Sequence, residues 1–333
     1  MVRVTISAVL SEDIIIRVIS YSQSFAKILQ VVALVGVTAC QPYVPPNPLP
    51  PVDSDTGEIS DGVTPQSESS KALETYYARV EAGLLAQGLL RRDGGGPDVP
   101  YTSRNLADNF VRIALFEEYT TIGGRIIAQQ TASQLHRWEK PVRMKVEFGT
   151  SVPQQQRIAD RANIVRYANR LSRITGLPIQ QANLNVNYHV FVVNEDERQT
   201  LGPRIRQIVP GINEAAVRAV EKMPRSTFCL VFAWDPHGNG TYSQAVAIIR
   251  GEHPVLMRLS CIHEELAQGL GLSNDSPAAR PSVFNDDEEF GLLTTHDEML
   301  LRMLYDRRMR PGMNAVQARE QANIIASEYL GGS

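Results

Sequence analysis

The residues best placed to do chemistry together lie in one stretch, Cys261-Ile262-His263-Glu264-Glu265-Leu266-Ala267-Gln268-Gly269-Leu270-Gly271-Leu272-Ser273-Asn274-Asp275. Glu264 and Gln268 are four apart, so on a helix their side chains leave the same face. Gly271 suits the left-handed conformation that ends a helix and turns the chain. Asn274 and Asp275 follow that turn and are expected to fold back toward Glu264 and Gln268. Two polar side chains one turn apart, with further donors beyond a glycine turn, make the geometry of a metal-binding helix. The donor types do not suit zinc, which favours imidazole. Carboxylate and carboxamide oxygens bind hard ions such as Ca²⁺ or Mg²⁺, and then in larger oxygen sets. A divalent metal ion is therefore the one cofactor this stretch suggests.

The chain that must position these groups has 333 residues, 43% hydrophobic and 21% charged, an ordinary globular balance. A formal net charge of -3 without a basic stripe argues against nucleic acid as a partner. The three cysteines, Cys40, Cys229 and Cys261, form no CxxC pair, which excludes thiolate zinc sites and redox motifs of that kind. No Gly-rich phosphate loop and no G-x-S-x-G elbow occurs. His189, His237, His253 and His296 show no ligand spacing and read as surface or hydrogen-bonded histidines.

Residues 1–39 read as an export signal. Lys27 precedes an apolar run, Ile28 to Thr38, which is too short to cross a bilayer. The run ends in Val37-Thr38-Ala39-Cys40, which resembles a bacterial lipoprotein cleavage box. That resemblance implies cleavage before Cys40 and lipid on its sulfur. The region before Lys27 is long for such a signal and contains Glu12 and Asp13; either the signal is extended or translation starts later, near Val18. Residues 40–70 begin proline-dense and continue rich in Ser, Asp and Gly, a composition expected of a disordered tether. The expected location is periplasmic, with the lipid on Cys40 holding the chain to a bacterial membrane, the outer one.

Residues 71–330 are expected to form a single α/β (α+β) domain, a mixed β-sheet packed by helices. Within it, 71–135 form a helical cap and 136–330 the core. Helices are predicted over 71–91 and 103–118, the first broken by Asp93 to Pro97. The apolar residues alternate through 142–148, as in a half-buried strand, and a helix covers 153–175. Further strands are expected at 186–193, 227–234 and 244–250, with helical pieces at 195–207 and 212–222. The chemical stretch lies on a helix over 255–270. Helices then follow at 295–306, capped by Thr295 and Glu298, and at 314–329. Cys229 on a strand and Cys261 on the key helix are candidates for a disulfide in an oxidising compartment, or for two buried thiols. Spacing alone leaves both open.

The stretch resembles the metzincin group of zinc peptidases, whose helix and turn read HExxHxxGxxH. The same frame here is Glu264-Glu265-x-x-Gln268-x-x-Gly271-x-x-Asn274. Glu265 and Gly271 match the general base and the turn, while the ligand positions hold Glu264, Gln268 and Asn274, with Asp275 beside them. Pro281 to Asn285 looks like the methionine-turn segment beneath the metal, with Phe284 in the place of methionine. Leu293-Thr294-Thr295-His296-Asp297 through Leu304-Tyr305-Asp306 looks like the closing helix of that group. The segments Cys261–Asp275, Ser282–Asp286 and Leu304–Asp306 also resemble an uncharacterised family of exported alphaproteobacterial proteins. Together the resemblances imply a zincin-like cleft whose zinc ligands have been lost.

The leading expectation is a lipid-anchored binding or assembly module of the cell envelope, a pseudopeptidase whose cleft receives a peptide or an envelope protein. The rival is a peptidase-like hydrolase with Glu265 as general base and an atypical metal. A third reading is a purely structural lipoprotein. The acidic run Asp286 to Glu289 lies near this cleft and offers oxygen ligands for Ca²⁺; the preferred reading is a solvated loop.

Overall fold

The computed structural model describes residues 2–8, 64–122 and 125–331. Cys40, the remainder of the expected signal and the tether as far as residue 63 lie outside the described residues. Residues 2–8 belong to the same compact unit as the described residues from 64 onward.

The chain order begins with β1 (Val2–Ala8), α1 (Glu68–Ala86) and α2 (Ser103–Ala114). A hairpin of β2 (Phe116–Ile122) and β3 (Arg125–Ala132) follows, then β4 (Val142–Phe148), α3 (Gln154–Thr175), β5 (Ile179–Gln181) and β6 (Tyr188–Val193). Three short helices come next: α4 (Glu195–Arg198), α5 (Gly202–Ile208) and α6 (Glu214–Glu221). The rest is β7 (Thr227–Trp234), β8 (Gln244–Arg250), α7 (Val255–Gln268), α8 (Thr295–Leu304) and α9 (Ala315–Leu330).

The main sheet has the order β1-β7-β8-β6-β4-β5. Strands β5, β4, β6 and β8 run parallel, and β7 is antiparallel to β8 and to β1. Every residue of β6 is buried, as expected for a central strand covered on both faces. One face carries the larger core with α3, α7 and α8, including Ile164, Leu171, Ile262, Leu266 and Leu300. The other face packs Phe191, Leu230 and Ile248 against Ile205 and Val217 of α5 and α6. The fold is thus a mixed α/β sheet between helical layers. Among the described residues no helix is long and apolar enough to cross a membrane.

Local rules explain most boundaries. Gly176 takes φ 71° and ends α3, a conformation that costs glycine little. Two expectations need correction. The helix expected to reach residue 118 stops at Ala114, because Tyr119-Thr120-Thr121-Ile122 and Ile126-Ile127 form a hairpin within the segment read as a helical cap. β-Branched residues on both sides of Gly123-Gly124 are a hairpin signature. Helix α8 is capped one residue earlier than expected: Thr294 accepts from Asp297 N–H and Asp297 closes the capping box.

Candidate functional site

Helix α7 lies on β7 and β8, and its polar face meets a web of side chains from distant segments. Cys261 is joined to Cys229 of β7 by a disulfide, which ties the middle of α7 to the sheet. The carbonyls at the end of α7 have few helical partners left. Side chains supply the rest. Tyr188 Oη donates to Glu265 C=O at 3.0 Å, Trp138 Nε1 to Gly269 C=O at 2.9 Å, and Tyr305 Oη to Leu270 C=O at 2.9 Å. Three aromatic residues from separate elements thereby fix where the helix stops.

Gly271 then turns the chain at φ 128°, where a Cβ would stand 2.0 Å from the His136 carbonyl. No other residue fits that position. The turn delivers Asn274 and Asp275 to different places. Asn274 Nδ2 donates to Arg112 C=O at 2.8 Å and its N–H to Ile113 C=O at 3.0 Å, so it caps the end of α2. Asp275 folds back as expected and accepts from Gln268 Nε2 at 3.1 Å. Burial and the neighbouring Asp286 charge push the Asp275 carboxyl well above the usual carboxylate range.

Glu264 faces a cavity of about 10 Å³, lined also by Leu84, Leu90, Phe228, Ser260 and Glu288. That is space for a single water at most. The cavity is covered from outside: Leu90 N–H donates to Glu288 C=O, Arg91 N–H to Glu289 C=O and Gly291 N–H to Arg91 C=O. Glu288 departs from the expected solvated loop. Its φ of 56° turns it away from that course, and burial with the charges of Asp286 and Asp287 raises its carboxyl to about 7. Glu265, the base position, is 0% exposed.

The remaining pieces of the pattern serve this packing. Phe284 is fully buried and its C=O accepts Ser276 N–H at 2.9 Å. Asp297 holds the segment in front of it, accepting from Ser282 Oγ at 2.5 Å, Val283 N–H at 3.0 Å and Thr294 N–H at 2.9 Å. His263 stacks on Tyr167 with centroids 4.0 Å apart and accepts Leu293 N–H at Nδ1. Burial lowers its pKa to about 3, so the ring is neutral and acts as an acceptor. Of the histidines read as surface or hydrogen-bonded, His189 bonds Glu147 and His296 bonds Asn109, while His253 is buried.

The residues present do not fit zinc. Among the described residues, the His, Cys, Asp and Glu donors that converge to within 4.8 Å are Cys229, Glu264 and Glu265. The Cys229 sulfur is committed to the disulfide and is no thiolate. That leaves two carboxylates, where even a catalytic zinc takes three protein ligands. Of the four expected ligand positions, Gln268 and Asp275 meet, while Asn274 is engaged at α2.

Sequence reasoning missed Trp138 and Tyr188. Asp297 and Tyr305 carried a signal through the closing-helix segment, and Glu288 through the acidic run. No curated protein and no solved structure matches the chain. The sequence pattern of one family does, across residues 103–323, and that span takes in every element from α2 to most of α9. The chain belongs to the family described as protein of unknown function (DUF2927).

Proposed function

We propose that this chain is a lipid-anchored periplasmic binding or assembly module of the cell envelope, built on a zincin-like framework whose former ligand positions now hold the fold together. The observation that carries this reading is the divergence beyond Gly271. Asn274, the third ligand position of the frame, reaches the carbonyl end of α2 instead of turning toward Glu264. The burial of Glu265 supports it further, since a general base needs contact with the water it activates. One antiparallel strand, β7, beside the helix that carries the frame supports the zincin-like part. The Cys229–Cys261 disulfide agrees with an oxidising compartment, and cleavage at the Cys40 box, which removes β1 and leaves β7 as the sheet edge, supplies the anchor.

One observation favours the hydrolytic rival. Asp275 and Glu288 both have raised carboxyl pKa values, and such groups gather at active sites. The experiment that separates the two is peptidase assay of the full chain and of Glu265→Gln on unfolded casein. The binding-module reading expects no cleavage by either protein. Cleavage by the parent chain that Glu265→Gln abolishes, with the fold retained, makes it a hydrolase.

A further inference from the structure

We propose that the groove between α3 and the open edge of β4 binds an extended acidic peptide, which adds a strand beside β4. This rests on the binding-module reading and gives it a site and a partner chemistry.

The backbone supplies the first argument. Val142 N–H donates to Pro178 C=O and Met144 C=O accepts Ala182 N–H, both on the β5 side, while Arg143 C=O and Gly149 N–H bond on the β6 side. Peptide groups alternate along a strand, so those of Val146 and Phe148 point away from β6. Strand β5 pairs only as far as Met144 and ends at Gln181. Beyond it the edge is open. The same edge already takes one main-chain bond from a passing segment, Thr64 N–H to Thr150 C=O at 3.0 Å.

The side chains supply the second. A groove of about 870 Å³ runs along this edge, lined by Arg157, Arg161, Arg166, Ile158, Val165 and Phe148 among others, with no Asp or Glu in its lining. Among the described residues, none of the three arginines has a carboxylate within 4 Å, whereas Arg91, Arg250, Arg258 and Arg308 do. Arg161 instead lies over the Phe148 ring at 5.0 Å and reaches Val146 C=O at 3.5 Å. Ile158 is 62% exposed between them.

Open peptide groups call for an extended backbone, three guanidiniums that bond only carbonyl oxygens call for carboxylates, and exposed Ile158 calls for an apolar neighbour. An extended peptide with acidic and apolar residues in alternation meets all three demands. An anionic membrane surface meets only the second.

The test is fluorescence anisotropy of the full chain with a labelled eight-residue peptide alternating valine and aspartate. Saturable binding is expected. Affinity should fall at least about tenfold for Arg161→Glu/Arg166→Glu, for a valine-lysine counterpart, and for an aspartate peptide N-methylated at alternate residues. An unchanged melting temperature of the double variant shows that the fold is intact. Equal affinity for the acidic and basic peptides overturns the proposal, as does indifference to N-methylation. Binding only to phosphatidylglycerol vesicles, or groove-dependent dimers in sedimentation, overturns it too. The two readings fail separately: loss of the groove result leaves the Glu265→Gln assay untouched, and casein cleavage leaves the anisotropy result standing.

Discussion

The end of α7 and the groove beside α3 lie on the same helical layer of one sheet, and both are rich in polar groups. They differ in what those groups meet. At α7, Gln268 meets Asp275, Asn274 meets Arg112, and the last carbonyls meet Tyr188, Trp138 and Tyr305. Beside α3, the peptide groups of Val146 and Phe148 face an open groove lined by three arginines. Buried polar groups whose partners are internal hold a structure together, whereas exposed charges without an internal counter-ion can recognise something else. A motif search leads to the first region. The physical chemistry of recognition leads to the second.

If that contrast is right, changes around α7 cost stability and changes in the groove do not. The largest effect is expected for Asp297→Ala. It leaves Val283 N–H and Thr294 N–H buried without their acceptor, and should cost on the order of 3 kcal/mol or more in urea unfolding. A loss under about 1 kcal/mol would mean that the segment carrying Phe284 is held by something else. Next comes the double variant Cys229→Ser/Cys261→Ser, which frees a 32-residue span. It should lower stability by about 2–4 kcal/mol, and reductant should then leave the melting temperature unchanged.

Glu288→Gln sharpens the comparison through pH. The Glu288 carboxyl rises from 4.5 to about 7 on folding, so the folded chain binds more protons than the unfolded chain between those values. Its contribution to stability is complete below pH 4.5 and is lost as pH rises through about 7. The glutamine variant should therefore be more stable than the parent at pH 8, by roughly 1–3 kcal/mol, and nearly equal to it at pH 4. Thermal melts at both values check the sign. The smallest effect is expected for Arg166→Gln, within about 0.5 kcal/mol of the parent, because its side chain is exposed and, among the described residues, bonds only Asn163. A cost above about 1 kcal/mol would make the groove arginines structural.

Much of the fold was legible because its periodicity is local. The alternation in Val142 to Phe148 and the buried runs at β7 and β8 gave strands in their observed places. The hairpin at Phe116 to Ala132 was overlooked although its β-branched residues flank a Gly-Gly pair. At the candidate site, spacing correctly placed Glu264 and Gln268 on one helix and Gly271 at a turn. It could not say what that face meets. The partner of Asn274 lies 162 residues earlier, and the groups that cap α7 come from β6, from the segment before β4 and from the end of α8. Register along a helix is written in the sequence. Contacts across the fold depend on how every intervening element packs.

The claim at the centre of this account is that the α7 frame is structural and holds no zinc. Metal analysis of the purified full chain, after incubation with Zn²⁺ and removal of the unbound ion, tests it most directly. The account predicts no stoichiometric zinc and no change in metal content when Glu264, Gln268 and Asn274 are each replaced by alanine. One tightly held zinc per chain, lost in Glu264→Ala, would contradict it.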